Sequence, residues 1–303
     1  MRILFMGTPD FAVPSLEILV RNGYQVVAVV TAPDKPGGRG LHLQASPVKV
    51  AAAALGIPVL QPQRLKDPEF LQQLASLGAD LQVVVAFRML PEAVWAMPRL
   101  GTFNLHASLL PQYRGAAPIQ RAVMNGETQS GLTTFMLQQE IDTGGILLQE
   151  TTPIADTTTG GELHDRMMMQ GAELVLRTVR LIEQGQAHPR PQVVEGILHG
   201  APKIFKEECS IHWGRPMNEV YNFIRGLSPH PAAHTLLQGK QLKIFFANRE
   251  AAVHHEQPGT ASIQNGILRF AVPGGYILPT ELQLEGKKKM GVDEFLRGNK
   301  INP

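Results

Sequence analysis

The chain has 303 residues, 44% of them hydrophobic, and a formal net charge of +2. That length supports two domains with buried cores, and the single cysteine, Cys209, excludes a disulfide framework and a multi-cysteine metal site, which fits a reducing, cytoplasmic compartment. The apolar start at Ile3–Met6 is too short for a signal peptide, and the longest apolar runs, Val26–Val30 and Val83–Phe87, fall far below the roughly 20 residues of a bilayer span.

Arg2–Met6, Gln25–Thr31, Pro58–Leu60 and Leu81–Ala86 are short Val/Ile/Leu-rich runs that read as buried parallel strands. Helical stretches, Val13–Arg21, Val48–Leu55 and Pro68–Ser76, are closed off by Gly23, Gly56 and Gly78, as glycines close helices. Such strand-helix-strand repeats give right-handed crossovers and a doubly wound, Rossmann-like α/β sheet, mostly parallel, with ligands at the carboxyl ends of its strands. The first turn, Gly7-Thr8-Pro9-Asp10-Phe11, lacks the G-x-G-x-x-G spacing of a dinucleotide site, and Gly7 is expected to supply unusual backbone angles.

Strands continue at Phe103–Ala107, Leu132–Gln138 and Ile146–Ile154, with helices at Pro118–Met124 and Gly161–Gln184. Met167, Met168 and Met169 on the last helix are expected in the core. Gln186–Cys209, rich in Pro, Gly and His, reads as a connection. Beyond it lie a helix, Met217–Ile224, and five short strands: Ala233–Leu237, Leu242–Ala247, Gly259–Ile263, Gly266–Ala271 and Tyr276–Leu282. The turns Gln238-Gly239, Asn265-Gly266 and Pro273-Gly274-Gly275 punctuate them, which suggests a small, OB-like β-barrel. The organisation expected is a catalytic domain over 1–185, a linker over 186–209 and a barrel domain over 210–303.

Chemistry concentrates in Phe103–Pro118. Alternate residues of a strand share a face, so Asn104 and His106 project the same way. An amide and an imidazole at a strand's carboxyl end make a donor pair for a developing oxyanion. Taken singly, each is more often structural. Asp142, in the loop Glu140-Ile141-Asp142-Thr143-Gly144-Gly145, adds a carboxylate that could orient the imidazole, with two glycines allowing close backbone approach. His212, His254 and His255 have no partners at metal-ligand spacing, and no metal site is expected.

Charge divides unevenly along the chain. Residues 1–200 carry 15 basic and 17 acidic side chains, residues 201–303 carry 13 and 9. A basic C-terminal segment is compatible with a polyanionic partner, and equally with ordinary surface variation. The loop Pro33–Gln44 is Pro/Gly-rich, carries Lys35 and Arg39, and has no apolar periodicity. A surface loop of that kind can also order on nucleic acid.

The Asn-x-His pair at Asn104 and His106, Ser108-Leu109-Leu110-Pro111 and Asp142-Thr143-Gly144 together resemble the folate-dependent formyltransferases. The likeness runs along nearly the whole chain, through Gly7–Phe11, Pro33–Gly40, Ser46–Lys49, Tyr113–Arg121 and Gly286–Met290. It is greatest to the branch that formylates methionyl initiator tRNA. The resemblance implies 10-formyltetrahydrofolate as donor and the α-amine of initiator-bound methionine as acceptor. Asn104 and His106 would donate to the formyl oxygen and Asp142 would position His106 and help deprotonate the amine. Ser108, Leu109, Leu110 and Pro111 would shape the folate pocket, with the backbone of Val85–Leu90, including Phe87, Arg88 and Leu90, facing the pterin. Phe87-Arg88 departs from the family's usual Tyr-Gly, and Arg88 is expected to face solvent.

By the same resemblance Lys35 and Arg39 would meet the acceptor stem, and Lys203, Lys206, Lys287, Lys288 and Lys289 would contact tRNA phosphates. The protein is expected to be a monomer in the cytoplasm, without membrane contact. Formyl transfer to an amino-sugar nucleotide is the nearest rival. The arginine-bearing loop and the C-terminal lysines argue against it.

Overall fold

Seven strands form one sheet: β1 (Arg2–Gly7), β2 (Gln25–Val30), β3 (Val59–Leu60), β4 (Leu81–Val85), β5 (Thr102–His106), β6 (Gln129–Met136) and β7 (Ile146–Pro153). Their spatial order in the computed structural model, which describes residues 1–37 and 42–299, is β7-β6-β5-β4-β1-β2-β3. Pairing is parallel from β3 through β5, and β6 runs antiparallel to β5. The chain order reverses between β1 and β4, so the switch point of this doubly wound sheet lies where Gly7 pairs with Val85.

Local sequence explains the crossovers. Helix α1 (Val13–Arg21) follows β1, and α2 (Pro47–Ala54) follows β2. Helix α3 (Pro68–Ser76) follows β3, and each of the three carries Pro in its first turn, where the missing N–H costs nothing. Ser46 and Asp67 cap α2 and α3 by accepting from Lys49 N and Glu69 N. One face of the sheet buries Leu4, Met6, Ala28, Val30 and Val84 against Phe70 and Leu74 of α3.

Gly7 does not adopt the left-handed conformation. It is needed for space: a Cβ there would lie 2.7 Å from Ala12 Cβ and 3.0 Å from Val85 O. The methionine triplet also divides, because helix residues are turned by about 100° from one to the next. On the helix Gly160–Glu183, Met167 is fully buried and Met169 is exposed. Lys35–Gly37 and His42–Gln44, at the two ends of the Pro/Gly loop, pair as a short antiparallel ladder.

By contact the chain divides into two units. One comprises Met1–Gly115, Gly131–Thr152 and Asp165–Gly200, the other Ala116–Ser130, Pro153–His164 and Ala201–Pro303. In the second, β8 (Ala233–Leu237), β9 (Lys240–Ala251), β10 (Ala261–Gln264), β11 (Ile267–Val272) and β12 (Gly275–Leu284) follow the order β8-β9-β12-β11-β10. The short β13 (Met290–Gly291) pairs with β12. The turns Gln238-Gly239 and Asn265-Gly266 each hold two consecutive residues at positive φ, the geometry of tight hairpins. Strand β9 is longer than its hydrophobic run because register shifts around Phe246 bend it and let it continue. A final helix, Val292–Gly298, carries too short an apolar pattern to be expected from sequence. Among the described residues, no helix is long and apolar enough to cross a membrane.

Candidate active site

Asn104 and His106 lie at the carboxyl end of β5, between Val84 of β4 and Phe135 and Thr133 of β6. His106 is buried, and its Nε2 lies 2.9 Å from Tyr113 O. A carbonyl only accepts, so Nε2 carries a proton and donates. Nδ1 is left facing Asp142 Oδ2 at 3.9 Å, beyond hydrogen-bond reach. The ring's orientation is therefore held by the Tyr113 carbonyl rather than by the carboxylate. Asn104 Oδ1 is buried with no hydrogen-bond partner among the described residues.

Asp142 adopts φ 54°, a conformation that costs an L-residue on the order of 1 kcal/mol. Its Oδ2 accepts from Gly115 N at 3.1 Å, and the side chain is only 13% exposed. The two glycines that follow admit close neighbours, backbone at Gly144 and a proline ring at Gly145. A Cβ on Gly144 would lie 1.6 Å from Met136 O, and one on Gly145 would lie 2.7 Å from Pro189 Cβ. Tyr113, whose carbonyl orients His106, is likewise left-handed at φ 57° and stacks on His199 at 5.7 Å.

The turn after β5 is built from side chains that sequence reading missed. Thr133 Oγ1 donates to Ser108 O (2.7 Å) and accepts from Leu110 N (3.1 Å). Gln149 Nε2 donates to Leu110 O (2.9 Å). Leu110 and Pro111 line a cavity of about 690 Å³ with Ile146, Gln149, Arg190 and Val193. Neither Phe87 nor Leu90 lines it. Phe87 and Arg88 follow Ala86, which leaves β4 at φ 48°. Arg88 is exposed, yet its guanidinium donates to the carbonyls of Gln63 (3.0 Å) and Pro62. It therefore ties two loops of the first unit together instead of pointing freely into solvent.

The cationic residues are treated differently. Lys35, Lys203 and Lys206 are exposed, and Lys203 Nζ lies 5.3 Å from the Phe205 ring centre. Arg39 lies outside the described residues. Lys288 pairs with Glu294 at 3.4 Å and Lys289 with Glu281 at 2.8 Å. Among the described residues, no group of three or more His, Cys, Asp or Glu could hold a metal ion.

The formyl transferase family model matches residues 1–179, and the C-terminal domain model of formyl transferases matches residues 203–300. The methionyl-tRNA formyltransferase of Bacteroides fragilis is 54% identical over 307 residues, 98% of this chain and 95% of that protein. This chain belongs to the formyl transferase family. The methionyl-tRNA formyltransferase of Bacteroides thetaiotaomicron is 52% identical over 312 residues, 100% of this chain and 97% of the relative. Among solved structures, HypX from Aquifex aeolicus in complex with tetrahydrofolic acid aligns with a TM-score of 0.66 at 20% identity. That alignment covers 100% of this chain and 49% of HypX, so the chain spans about half of that protein, and the likeness bears on fold alone. Family membership makes the chain a formyl-transferring enzyme.

Proposed function

We propose that this enzyme moves the formyl group of 10-formyltetrahydrofolate to the α-amine of methionine on initiator tRNA, with Asn104, His106 and Asp142 as its catalytic residues. The observation that carries the site assignment is their meeting at the carboxyl end of β5: a buried imidazole and a half-buried carboxylate 3.9 Å apart, beside an asparagine whose amide oxygen has no partner among the described residues.

The neutral amine attacks the formyl carbon, and the carbonyl electrons move to the formyl oxygen. Asn104 Nδ2 and His106 Nδ1 donate to that oxygen, with Nε2 still held by Tyr113. This requires both ring nitrogens to bear protons. Asn104 Oδ1 can accept an amine hydrogen, which answers its buried, unpaired state. Asp142 takes a proton from the attacking nitrogen, directly or through water. The C–N10 bond then breaks, and N10 leaves with the bonding pair and takes up a proton, giving tetrahydrofolate and the formylated amine.

Ser108, Leu109, Leu110 and Pro111 shape the folate pocket, and the backbone after β4, past Phe87 and Arg88 to Leu90, presents hydrogen-bonding groups to the pterin edge. For tRNA we assign Lys35 and Arg39 to the acceptor stem. Lys203, Lys206, Lys287, Lys288 and Lys289 are assigned to phosphates. In chain order we place the catalytic domain over 1–185, the linker over 186–209 and the tRNA-contacting domain over 210–303. We place the enzyme in the cytoplasm as a monomer.

The test is a formyl-transfer assay with 10-formyltetrahydrofolate, comparing methionyl initiator tRNA, methionyl elongator tRNA and amino-sugar nucleotides. Preferred use of the initiator is expected, and preferred use of a sugar nucleotide sinks the acceptor assignment. Arg39→Ala should lower use of full tRNA far more than transfer to a small amine. Similar losses on both remove that loop from recognition.

A further inference from the structure

We infer that Gln192, in the segment that sequence alone reads as a mere connection, is a positioning residue for Asp142, an inference that rests on the catalytic role proposed for Asp142. Its amide spans the loop that carries the carboxylate. Nε2 donates to Asp142 O at 2.8 Å and to Gly144 O at 2.9 Å, while Oε1 accepts from Arg114 Nη2 at 2.6 Å. The assignment of oxygen and nitrogen follows from chemistry: two carbonyls can only accept and a guanidinium can only donate. Both amide hydrogens are thereby committed to the two carbonyls that flank Thr143.

The need for such a clamp lies in the backbone. Asp142 sits at φ 54°, and among the described residues its carboxylate accepts one hydrogen bond, from Gly115 N. A left-handed aspartate with two glycines after it keeps one conformation only if its surroundings enforce it. Gln192 is itself anchored two residues away, where Arg190 and Ile146 exchange N–H···O bonds of 2.9 and 2.7 Å. The other end of the same segment is tied down as well. Gln112 Nε2 donates to Ile197 O and its Oε1 accepts from His199 N, both at 2.9 Å, and Tyr113 N donates to His199 O at 2.7 Å. Tyr113 in turn carries the carbonyl that orients His106. Residues 190–199 thus reach both proposed catalytic side chains at one remove, Asp142 through Gln192 and His106 through Tyr113.

A purely structural Gln192 would lower stability, and whatever activity was lost would follow the folded fraction. A positioning Gln192 lowers kcat in a fully folded enzyme. The experiment uses the full-length chain carrying Gln192→Met, which keeps the length of the side chain and removes all three hydrogen bonds. We expect kcat to fall on the order of 10²-fold, with KM for 10-formyltetrahydrofolate and for methionyl-tRNA, and Tm, near those of the parent. In an Asp142→Asn background the same change should cause no further loss. An unchanged kcat, or a loss that multiplies fully with that of Asp142→Asn, overturns the inference. Gln192→Asn, which keeps an amide but falls one methylene short, provides a second reading if the Met variant does not fold: reduced kcat supports the clamp, parental kcat overturns it. If Asp142→Asn alone retains full kcat, the site assignment fails. If it is crippled while Gln192→Met is not, only this inference fails.

Discussion

The carboxyl end of β5 and the lysine run beyond β12 are both marked by sequence for substrate, and the fold treats them in opposite ways. At β5 the backbone delivers Asn104 and His106 to one edge, and neighbouring carbonyls and N–H groups hold His106 and Asp142. At 287–289 nothing of that kind happens: Lys288 and Lys289 turn to nearby carboxylates, and Lys288 remains 78% exposed. A strand transmits register to its side chains, whereas a flexible ammonium stem takes whatever partner is near. The first region carries fixed geometry, the second only charge.

The largest effects belong to the proposed catalytic residues. His106→Ala and Asp142→Ala should abolish turnover in a steady-state assay while tRNA affinity stays close to that of the parent. Asn104→Ala should cost about 2.7–4 kcal/mol of transition-state stabilisation, or 10²–10³ in kcat. Parallel loss of affinity and turnover would point to a folding defect instead. The next effect belongs to Gly144→Ala, where the added methyl would collide with Met136 O. It should cost on the order of 3 kcal/mol, read as a fall of several degrees in Tm together with reduced kcat.

Smaller effects test the charged side. If charge alone matters there, Lys287→Ala should lower the slope of log affinity against log salt by about 1. Lys289→Ala, already paired with Glu281, should change it less. Equal slopes would mean that the pair with Glu281 does not shield Lys289 from phosphate. The smallest effect concerns the base of the Pro/Gly loop. The Asp34 carboxyl is held below its ordinary 3.8, first by the hydrogen bond from Lys49 and then by that from Gln61. Its contribution is thus complete above about pH 4 and is lost as pH falls through the lowered folded-state value. Lys49→Met should lower Tm slightly at neutral pH and leave it nearly unchanged at the acid end, so that the acid limb of a Tm-versus-pH curve flattens.

Periodicity made the sheet legible, since β1, β2, β4 and β5 are runs whose length and composition admit little else. Gln238-Gly239 and Asn265-Gly266 announced their hairpins because few residue pairs tolerate two successive positive φ values. Asn104 and His106 were legible as a pair for the same reason, period two on a strand. What escaped were long-range side-chain bonds. Gln192 lies 50 residues beyond Asp142, and no local pattern distinguishes a clamp glutamine from a solvated one. Nor could sequence tell that a main-chain carbonyl, on Tyr113, would orient His106, or that Asp142 would be left-handed where the following glycines were the obvious candidates.

The interleaving of the two units has a consequence for biogenesis. Helix Pro118–Met124 belongs with the second unit, where Gly226 of helix Met217–Leu227 lies against Met124 and the carbonyl of Gln120. On a ribosome the first of these helices emerges about a hundred residues before its partner, a delay of roughly 5–20 s at ordinary elongation rates. Until then its apolar face has no permanent cover, so nascent chains stalled in that window are the ones for which a chaperone or a protease should compete hardest.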